Sequence, residues 1–441
     1  MKRIFSSIVV ASLALSSFAG GLLTNTNQSA SFVRNPARYA SLETDAIYFN
    51  PAGTAFFKEG WALSANWQMI WQDRDVTDLY TNRTFKGEVY VPCMPTIMAA
   101  YKTGDWTFSG FFGIPGGGGK CEFNNGLPML NNMVNGLFAQ GLAGMGLNGV
   151  GGYSTESSFQ STQYMFSLQL GAAYKVNDNL SVYGGVRANY TTANYEGTIT
   201  TSFKEGVTIS GYPIAATPAA PYEQAIIAAA PKLAVDMNQT GLAFAPIVGV
   251  DYKIGDFNFA AKYEFRAVTT VENDTKEAPA QLPTFADGVK FRSDAPALLS
   301  LAGSWQVCPR LQVMGGWNYY FDKDAKVESL LGGDNNKNLD HNTYEILAGA
   351  EFKLTDKWLL SAGVQYSNFG VTNQFTSDLS FINDSFLVCA GAKYSLNEQW
   401  DINFGACYAN YAHDVNRLMN ATGSSYMRKT YNVAVGVDFK F

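Results

Sequence analysis

The sequence predicts an all-β protein: one transmembrane antiparallel β-barrel of about fourteen strands, with a short N-terminal plug (hatch) inside its lumen. Three observations carry this. An export signal is followed by no apolar run long enough for a membrane helix; period-two alternation runs through segment after segment; and short connections alternate strictly with long ones.

The signal is read over residues 1–19. Lys2 and Arg3 precede an apolar run rich in Ser and Ala, and Ser17-Phe18-Ala19 puts small residues before a cut at Gly20. Beyond it no stretch of about 18 apolar residues occurs. A chain that is exported, yet cannot stop as a helix in the inner membrane, fits the outer membrane of a Gram-negative cell. Of 441 residues, 47% are hydrophobic and only 15% charged, well under a typical soluble protein. One closed sheet can absorb that length. The net charge of −6 gives no reason to expect nucleic acid as a partner.

A repeat sets the strand count. Gly-Ala/Val-x-aromatic-Lys occurs at Gly171 to Lys175, Gly249 to Lys253, Gly349 to Lys353 and Gly436 to Lys440, with looser copies beginning at Met98, Ala302 and Gly391. Polar turns such as Asn177-Asp178-Asn179 and Gly255-Asp256 follow, and then an apolar residue opens the next run: Trp106, Leu180, Phe257, Leu311, Trp358 or Trp400. Each unit reads as a hairpin whose rings share one height, an interfacial girdle. In the last strand Tyr431, Val433, Val435, Val437, Phe439 and Phe441 share one face, while Asn432, Ala434, Gly436, Asp438 and Lys440 share the other. The apolar face meets lipid and the polar face lines a lumen. Strands are expected around 61–72, 94–102, 106–114, 162–175, 180–196, 237–253, 257–269, 294–306, 310–322, 342–353, 357–369, 383–395, 399–412 and 428–441. The long connections, near 73–93, 115–161, 197–236, 270–293, 323–341, 370–382 and 413–427, are then extracellular. Within them, 127–148 and 221–235 read as partly helical and apolar, either packing over the barrel mouth or collecting a lipophilic ligand. Phe441 at the periplasmic rim reads as a signal to the barrel-assembly machinery.

Residues 20–60 lie between signal and barrel (61–441). They are too few for an independent domain, but Phe32, Val33, Tyr39, Ile47, Tyr48 and Phe49 can pack, so they suit a plug in a wide barrel. Pro51 forbids a helix through that point, and Ala52 and Gly53 permit close backbone approach. The stretch Asp45-Ala46-Ile47-Tyr48-Phe49-Asn50-Pro51-Ala52-Gly53 resembles the plug motif of the FadL/TodX family of outer-membrane long-chain fatty acid and hydrocarbon transporters, in which an acidic-small run leads into Asn-Pro-Ala shortly before the first strand. The triplet also occurs upstream as Asn35-Pro36-Ala37. The third strand adds to the resemblance: Phe108-Ser109-Gly110-Phe111-Phe112-Gly113-Ile114-Pro115 runs into Gly116 to Gly119. Gly and Pro mark bulges and bends. The resemblance implies that this strand kinks inward, meets the plug and opens a lateral gap formed or bordered by Gly110, Phe111, Phe112, Gly113, Pro115 and Gly116. Read from the residues alone, a glycine-rich turn beyond an ordinary strand is the alternative. By architecture the resemblance covers the whole mature chain; only the plug and third strand carry motifs.

Catalysis is not expected. The two histidines, His341 and His413, fall in loops, and the Asp414 beside His413 is a neighbour in sequence rather than a triad partner. Gly116 to Lys120 lacks phosphate-loop spacing. No Cys-x-x-C occurs among Cys93, Cys121, Cys308, Cys389 and Cys407, so no metal or cofactor is expected. Cys93 and Cys121 could pair, or all five could be scattered thiols. Arg187, Lys262 and Arg266, with Glu264, read as inward-facing, and a ligand carboxylate in a greasy pocket would need such a cation. The implied function is passive transport of hydrophobic small molecules, long-chain fatty acids or aromatic hydrocarbons, by a monomer in contact with outer-membrane lipid and lipopolysaccharide. The alternatives are a general polar-solute porin and a structural or adhesive surface antigen.

Overall fold

Alternation read from the sequence becomes a wall turned inside out relative to a soluble protein. In a computed structural model, residues 22, 24–131, 150–209, 212–213, 232–279, 283–328, 333–378, 381–416 and 423–441 are described; the signal reading lies outside them. Fourteen antiparallel strands form the wall: β1 (Gly60–Asp78), β2 (Arg83–Thr103), β3 (Trp106–Phe123), β4 (Val150–Lys175), β5 (Leu180–Ile209), β6 (Lys232–Ile254), β7 (Phe257–Glu264), β8 (Leu298–Cys308), β9 (Leu311–Tyr320), β10 (Tyr344–Lys353), β11 (Trp358–Asn368), β12 (Ser385–Ser395), β13 (Trp400–Tyr411) and β14 (Ser424–Lys440). Short segments continue β7, β8 and β13 beyond breaks at Thr270–Glu277, Lys290–Arg292 and Asp414–Asn416. The sheet closes where β1 meets β14, from Ala62↔Lys440 to Asp78↔Ser424.

In β1, Trp61, Trp67 and Trp71 are exposed, whereas Asn66, Gln68, Gln72 and Arg74 are buried. In β14, Tyr431, Val433 and Val435 are exposed, and Asn432, Ala434 and Asp438 are buried. A continuous apolar exterior over a polar interior is stable only with lipid as the solvent. Ring pairs in register mark the two interfaces. On the periplasmic side Trp61–Tyr101, Trp106–Tyr174, Trp358–Tyr394 and Trp400–Phe439 lie 4.9, 4.7, 4.7 and 4.3 Å apart. On the extracellular side Trp71–Tyr90 and Tyr408–Tyr431 lie 5.8 and 5.1 Å apart. Each pair is worth about 0.5–1.5 kcal/mol beyond its buried area. Ten strand positions separate Trp61 from Trp71, roughly 33 Å along a tilted strand, which matches an apolar band about 25 Å tall.

The strand count and the side on which the hairpin turns lie agree with the sequence reading; the extracellular strand ends do not. Residues 73–93, expected as a loop, are mostly strand: β1 runs to Asp78 and β2 begins at Arg83, around a tight turn with Asn82 at φ 54°. β3 to β6 also extend well into the expected loops. Above the outer girdle the exterior faces water, so strands there carry polar residues on both faces and read as loop. The expected helical stretch at 127–148 begins as a helix at 128–131, with 132–148 outside the described residues; of 221–235, 232–235 belong to β6 and the rest lies outside. Cys93 and Cys121 do not pair. Cys93 faces out and Cys121 is buried, while Cys389 and Cys407, register partners on β12 and β13, form a disulfide.

Candidate functional site

Residues 24–56 are almost wholly buried and thread among the inward-facing side chains of the wall. Helix α1 (Ala30–Arg34) is capped by Ser29, whose Oγ accepts the Phe32 N–H at 2.9 Å. Helix α2 (Ala46–Phe49) runs into a 3-10 turn at Pro51–Phe56. Both helices are too short to stand alone, so packing holds them. Phe32, Tyr39, Ile47, Tyr48 and Phe49 share one core with wall residues Met98, Phe111, Met314 and Leu347.

Charge fixes the segment against β10–β13. Arg38 grips Asp45 with two hydrogen bonds of 2.8 Å and donates to Glu351 at 2.8 Å. Arg34 donates to Glu351, to Glu43 at 2.7 Å, to Ser361 at 3.0 Å and to Asn403 at 3.1 Å. Lys393 completes the group by pairing with Glu43. Three cations face three carboxylates, so no buried charge stands alone. Burial pulls the Glu43 carboxyl upward, but Lys393, Arg38 and Arg34 outweigh it and hold the group well below the usual carboxylate range. Space is made by wall glycines. A Cβ on Gly405 would stand 2.6 Å from the Arg34 nitrogen, and one on Gly363 2.7 Å from the Pro36 ring.

The Asn-Pro-Ala-Gly motif works as a backbone latch. Asn50 Oδ1 accepts the Gly53 N–H at 3.3 Å, and its amide donates to Asp251 on β6 and to the Ser41 carbonyl at 3.1 Å. Pro51 opens the 3-10 turn; the Ala52 carbonyl accepts from Ser181 Oγ at 2.7 Å. Gly53 has no room for a Cβ, which would lie 2.5 Å from Asn50 Nδ2.

On the opposite side the wall itself departs from a regular sheet. β2 and β3 pair from Thr103↔Trp106 to Ile97↔Phe112, and again at Val89↔Cys121, but residues 90–96 and 113–120 do not pair with each other. β3 bulges twice against β4 over the same stretch, between Gly113 and Gly116 and between Gly117 and Gly119. Alternation stops here: residues 113–119 are all buried, so the strand has turned inward. Gly117 and Gly119 adopt φ 90° and 70°, which L side chains rarely reach. The luminal segment takes up the freed backbone. Thr24 bridges Gly116, the Asn25 N–H meets the Pro115 carbonyl at 2.8 Å, and the side chains of Asn25 and Gln28 reach the Gly117 and Ile114 carbonyls at 2.9 and 3.2 Å. The unpaired stretch of β2 runs from Tyr90, in the outer girdle, down to Thr96, so it lies within the outer-leaflet half of the apolar band.

Gly110 pairs Ala99 and Leu170 below this stretch, Phe112 points outward and Phe111 points in, 4.6 Å from the Tyr48 ring. Arg187 lies over that same ring at 4.8 Å and pairs with Glu264 at 2.6 Å; Lys262 pairs with Glu264 at 2.7 Å and donates to the Tyr48 carbonyl at 2.9 Å. The structure thus gathers Phe111, Arg187 and Lys262 around Tyr48, with Glu264 answering both cations. Arg266, read as inward-facing, is exposed and donates to the Asp324 carbonyl, because the regular strand ends at Glu264 and the alternation shifts there. Sequence reading missed the Arg34–Arg38–Glu351 group. Its signal was present: the variable position of the repeat is Asp251, Glu351 and Asp438 in three copies, all inward, and the first two hold Asn50 and the two arginines.

Above the luminal segment a second apolar cluster joins Ile70, Val91, Met94, Ile114, Phe123 and Phe381 with residues of β4 to β6, reaching both edges of the unpaired stretch.

This architecture has relatives. A FadL homologue of Pseudomonas aeruginosa superposes with a TM-score of 0.64 over 98% of this chain and 100% of that one, at 14% identity. The toluene transporter TodX of P. putida gives 0.60 at 15% identity, over 90% and 94%. The toluene transporter TbuX of Ralstonia pickettii gives 0.56 at 13%, over 90% and 94%. No curated protein matches the sequence itself. Residues 10–439 match the family described as outer membrane protein transport protein (OMPP1/FadL/TodX), and the chain belongs to that family of outer-membrane β-barrels.

Proposed function

We propose that the protein carries hydrophobic small molecules, long-chain fatty acids or aromatic hydrocarbons, passively across the lipopolysaccharide leaflet. Such solutes cross that leaflet poorly and gain nothing from a water-filled channel. Here they enter from outside, lie along the apolar cluster beneath the extracellular strand ends, and leave sideways between β2 and β3 into the membrane when residues 20–60, acting as the plug, shift. The observation that carries this reading is the unpaired stretch 90–96/113–120, which lies at bilayer height with apolar side chains behind it and the Thr24–Gly116 bridge beside it. The names of the superposed relatives, toluene transporters and a FadL homologue, support the same ligand class.

The test is uptake of labelled oleate and toluene in a deletion strain carrying wild type, a variant lacking residues 24–55, or one with Gly117 and Gly119 removed to straighten β3. Both variants are expected to lose regulated uptake. Uptake in wild type no faster than in the deletion strain overturns the reading. A polar-solute porin would instead show large steady conductance in planar bilayers. The buried segment 24–56 argues against that, and small or flickering currents are expected.

A further inference from the structure

The wall has a second dislocation, away from the glycine-rich strand. β5 and β6 keep one register from Leu180↔Tyr252 to Ile199↔Leu233. β7 and β8 recover one register across their own break, at Glu264↔Leu298, Ala267↔Ala295 and Thr270↔Arg292. Between β6 and β7 the register slips by one residue. The pairs are Ile247↔Glu264 below and Gly241↔Val271 above, six positions on β6 against seven on β7. Neither register can run through, and residues 242–246 and 265–270 form no ladder with each other. β2 and β3 slip by one residue in the same way, between Ile97↔Phe112 and Val89↔Cys121.

The cause is local. The Pro246 carbonyl accepts the Phe265 N–H at 2.9 Å, so that edge of Pro246 faces β7, and its nitrogen has no hydrogen to return. Beyond it the chain turns to β8. Ala267 and Ala295 exchange two bonds of 3.1 Å, the Ser293 N–H meets the Thr269 carbonyl at 2.9 Å, and the Thr269 N–H meets Asp294 Oδ1 at 3.1 Å. The seam between β2 and β3 is tied to residues 24–28 of the luminal segment; this one is tied to β8.

Leu242, Phe244, Phe265 and Val268 are exposed on the outer face, while Ala243, Ala245, Ala267 and Ala295 are buried and pack together on the inner one. The inner closure of the gap is methyl against methyl. A handful of such contacts holds little dispersion energy. Counted from Tyr252, exposed at the periplasmic end of β6, Pro246 lies six positions up and Leu242 ten, the same ten that separate Trp61 from Trp71. The gap therefore lies in the outer-leaflet half of the apolar band, and its five residues of β6 span roughly 16 Å.

We propose that the β6–β7 gap is a second lateral passage for neutral hydrophobic solutes, so that the lumen meets the outer leaflet at two places under separate control. This rests on the transport reading above and extends it. Opening requires the alanine methyls to part and residues 265–269 to move with β8, to which they are bonded. Few ladder hydrogen bonds are lost, because the register slip has already removed them. A solute passing outward then meets the Phe244 and Phe265 rings on the lipid side.

The experiment is toluene uptake by the deletion strain carrying the full-length protein with Ala245→Cys and Ala267→Cys, which an oxidant joins across the gap and a reductant releases. Cys93→Ser and Cys308→Ser remove the two exposed free thiols, peptide mapping without reductant confirms the new bond, and the same protein with both alanines kept controls for the oxidant. Each form is measured with Gly117 and Gly119 present and with both removed. Removing the glycines is expected to leave part of the wild-type uptake. Oxidation should then take that part down to the level of the deletion strain, and reductant should bring it back. With the glycines present, oxidation should lower uptake without ending it. Uptake already at the deletion-strain level once the glycines are removed overturns this inference and leaves the transport reading standing. So does uptake that oxidation leaves unchanged although the bond has formed, which would make the gap a dislocation sealed for good by its alanines. Wild type no faster than the deletion strain overturns both. Should the alanine positions not join, Phe244→Cys with Val268→Cys on the outer rim replaces them; should neither pair join, the uptake left after glycine removal decides. Should glycine removal prevent folding, the oxidised and reduced states of the protein that keeps them decide.

Discussion

The luminal segment meets two very different walls. Against β10–β13 it is held by a closed set of charges, and the wall there is an unbroken ladder from Tyr344↔Asn368 to Ser385↔Tyr411. Glycines bring the two backbones together at Gly363, Gly391 and Gly405. Against β2 and β3 the ladder is interrupted, and the segment meets the wall through neutral hydrogen bonds, apolar packing on Met98 and Phe111, and one isolated bridge. Buried, paired charges cost much to separate, whereas neutral bonds exchange readily with other partners. One side is an anchor and the other is the seam proposed to open.

The sharpest way to break this contrast is Glu351→Ala. It leaves Arg34 and Arg38 short of a partner within the lumen, and about 3–5 kcal/mol of stability should go, read as a large fall in the barrel's unfolding temperature and fast proteolysis of the segment. Gly405→Val should come next: a branched side chain on the Arg34 and Val33 backbone costs about 1–3 kcal/mol. At the seam the order of effects reverses. Gly117→Ala, whose Cβ would stand 2.4 Å from the Gln163 carbonyl at φ 90°, should cost about 1–2 kcal/mol yet impair uptake more than Gly405→Val does. Equal uptake in the two variants would erase the distinction. Asn50→Ala should sit between them, losing about 1–2 kcal/mol from the latch on Asp251.

Acid gives the smallest and most graded effect. Because the folded state holds the Glu43 carboxyl below its ordinary value, its contribution is present at neutral pH and lost only as pH falls through that lowered value. Amide exchange in residues 30–56 should therefore stay slow down to about pH 4 and quicken below it. Quickening between pH 5 and 7 would place the controlling group elsewhere.

The wall was legible in the sequence because its rule is local: side chains alternate with period two, and Trp61, Trp106, Trp358 and Trp400 opened their strands as expected. The ends of β1 and β2 were not, since Asp73, Arg74 and Asp75 obey the alternation without the hydrophobicity that advertises it. The Asn50-to-Gly53 motif and the glycine run from Gly116 to Gly119 could be picked out by backbone chemistry. Which charges meet could not, because Arg34 and Glu351 are 317 residues apart and come together only once the barrel's register is set. The Cys389–Cys407 bond escaped for the same reason, and the neutralisation of Arg187 by Glu264 needed β5 and β7 brought together across the intervening β6.

The segment inside the barrel comes directly before β1, and β1 is the strand that meets β14 to finish the cylinder. Without that segment Asp251 would lack Asn50, and Glu351 would face the lumen without its arginines. The inward carboxylates of the repeat therefore tie the stability of the closed cylinder to the presence of its filling.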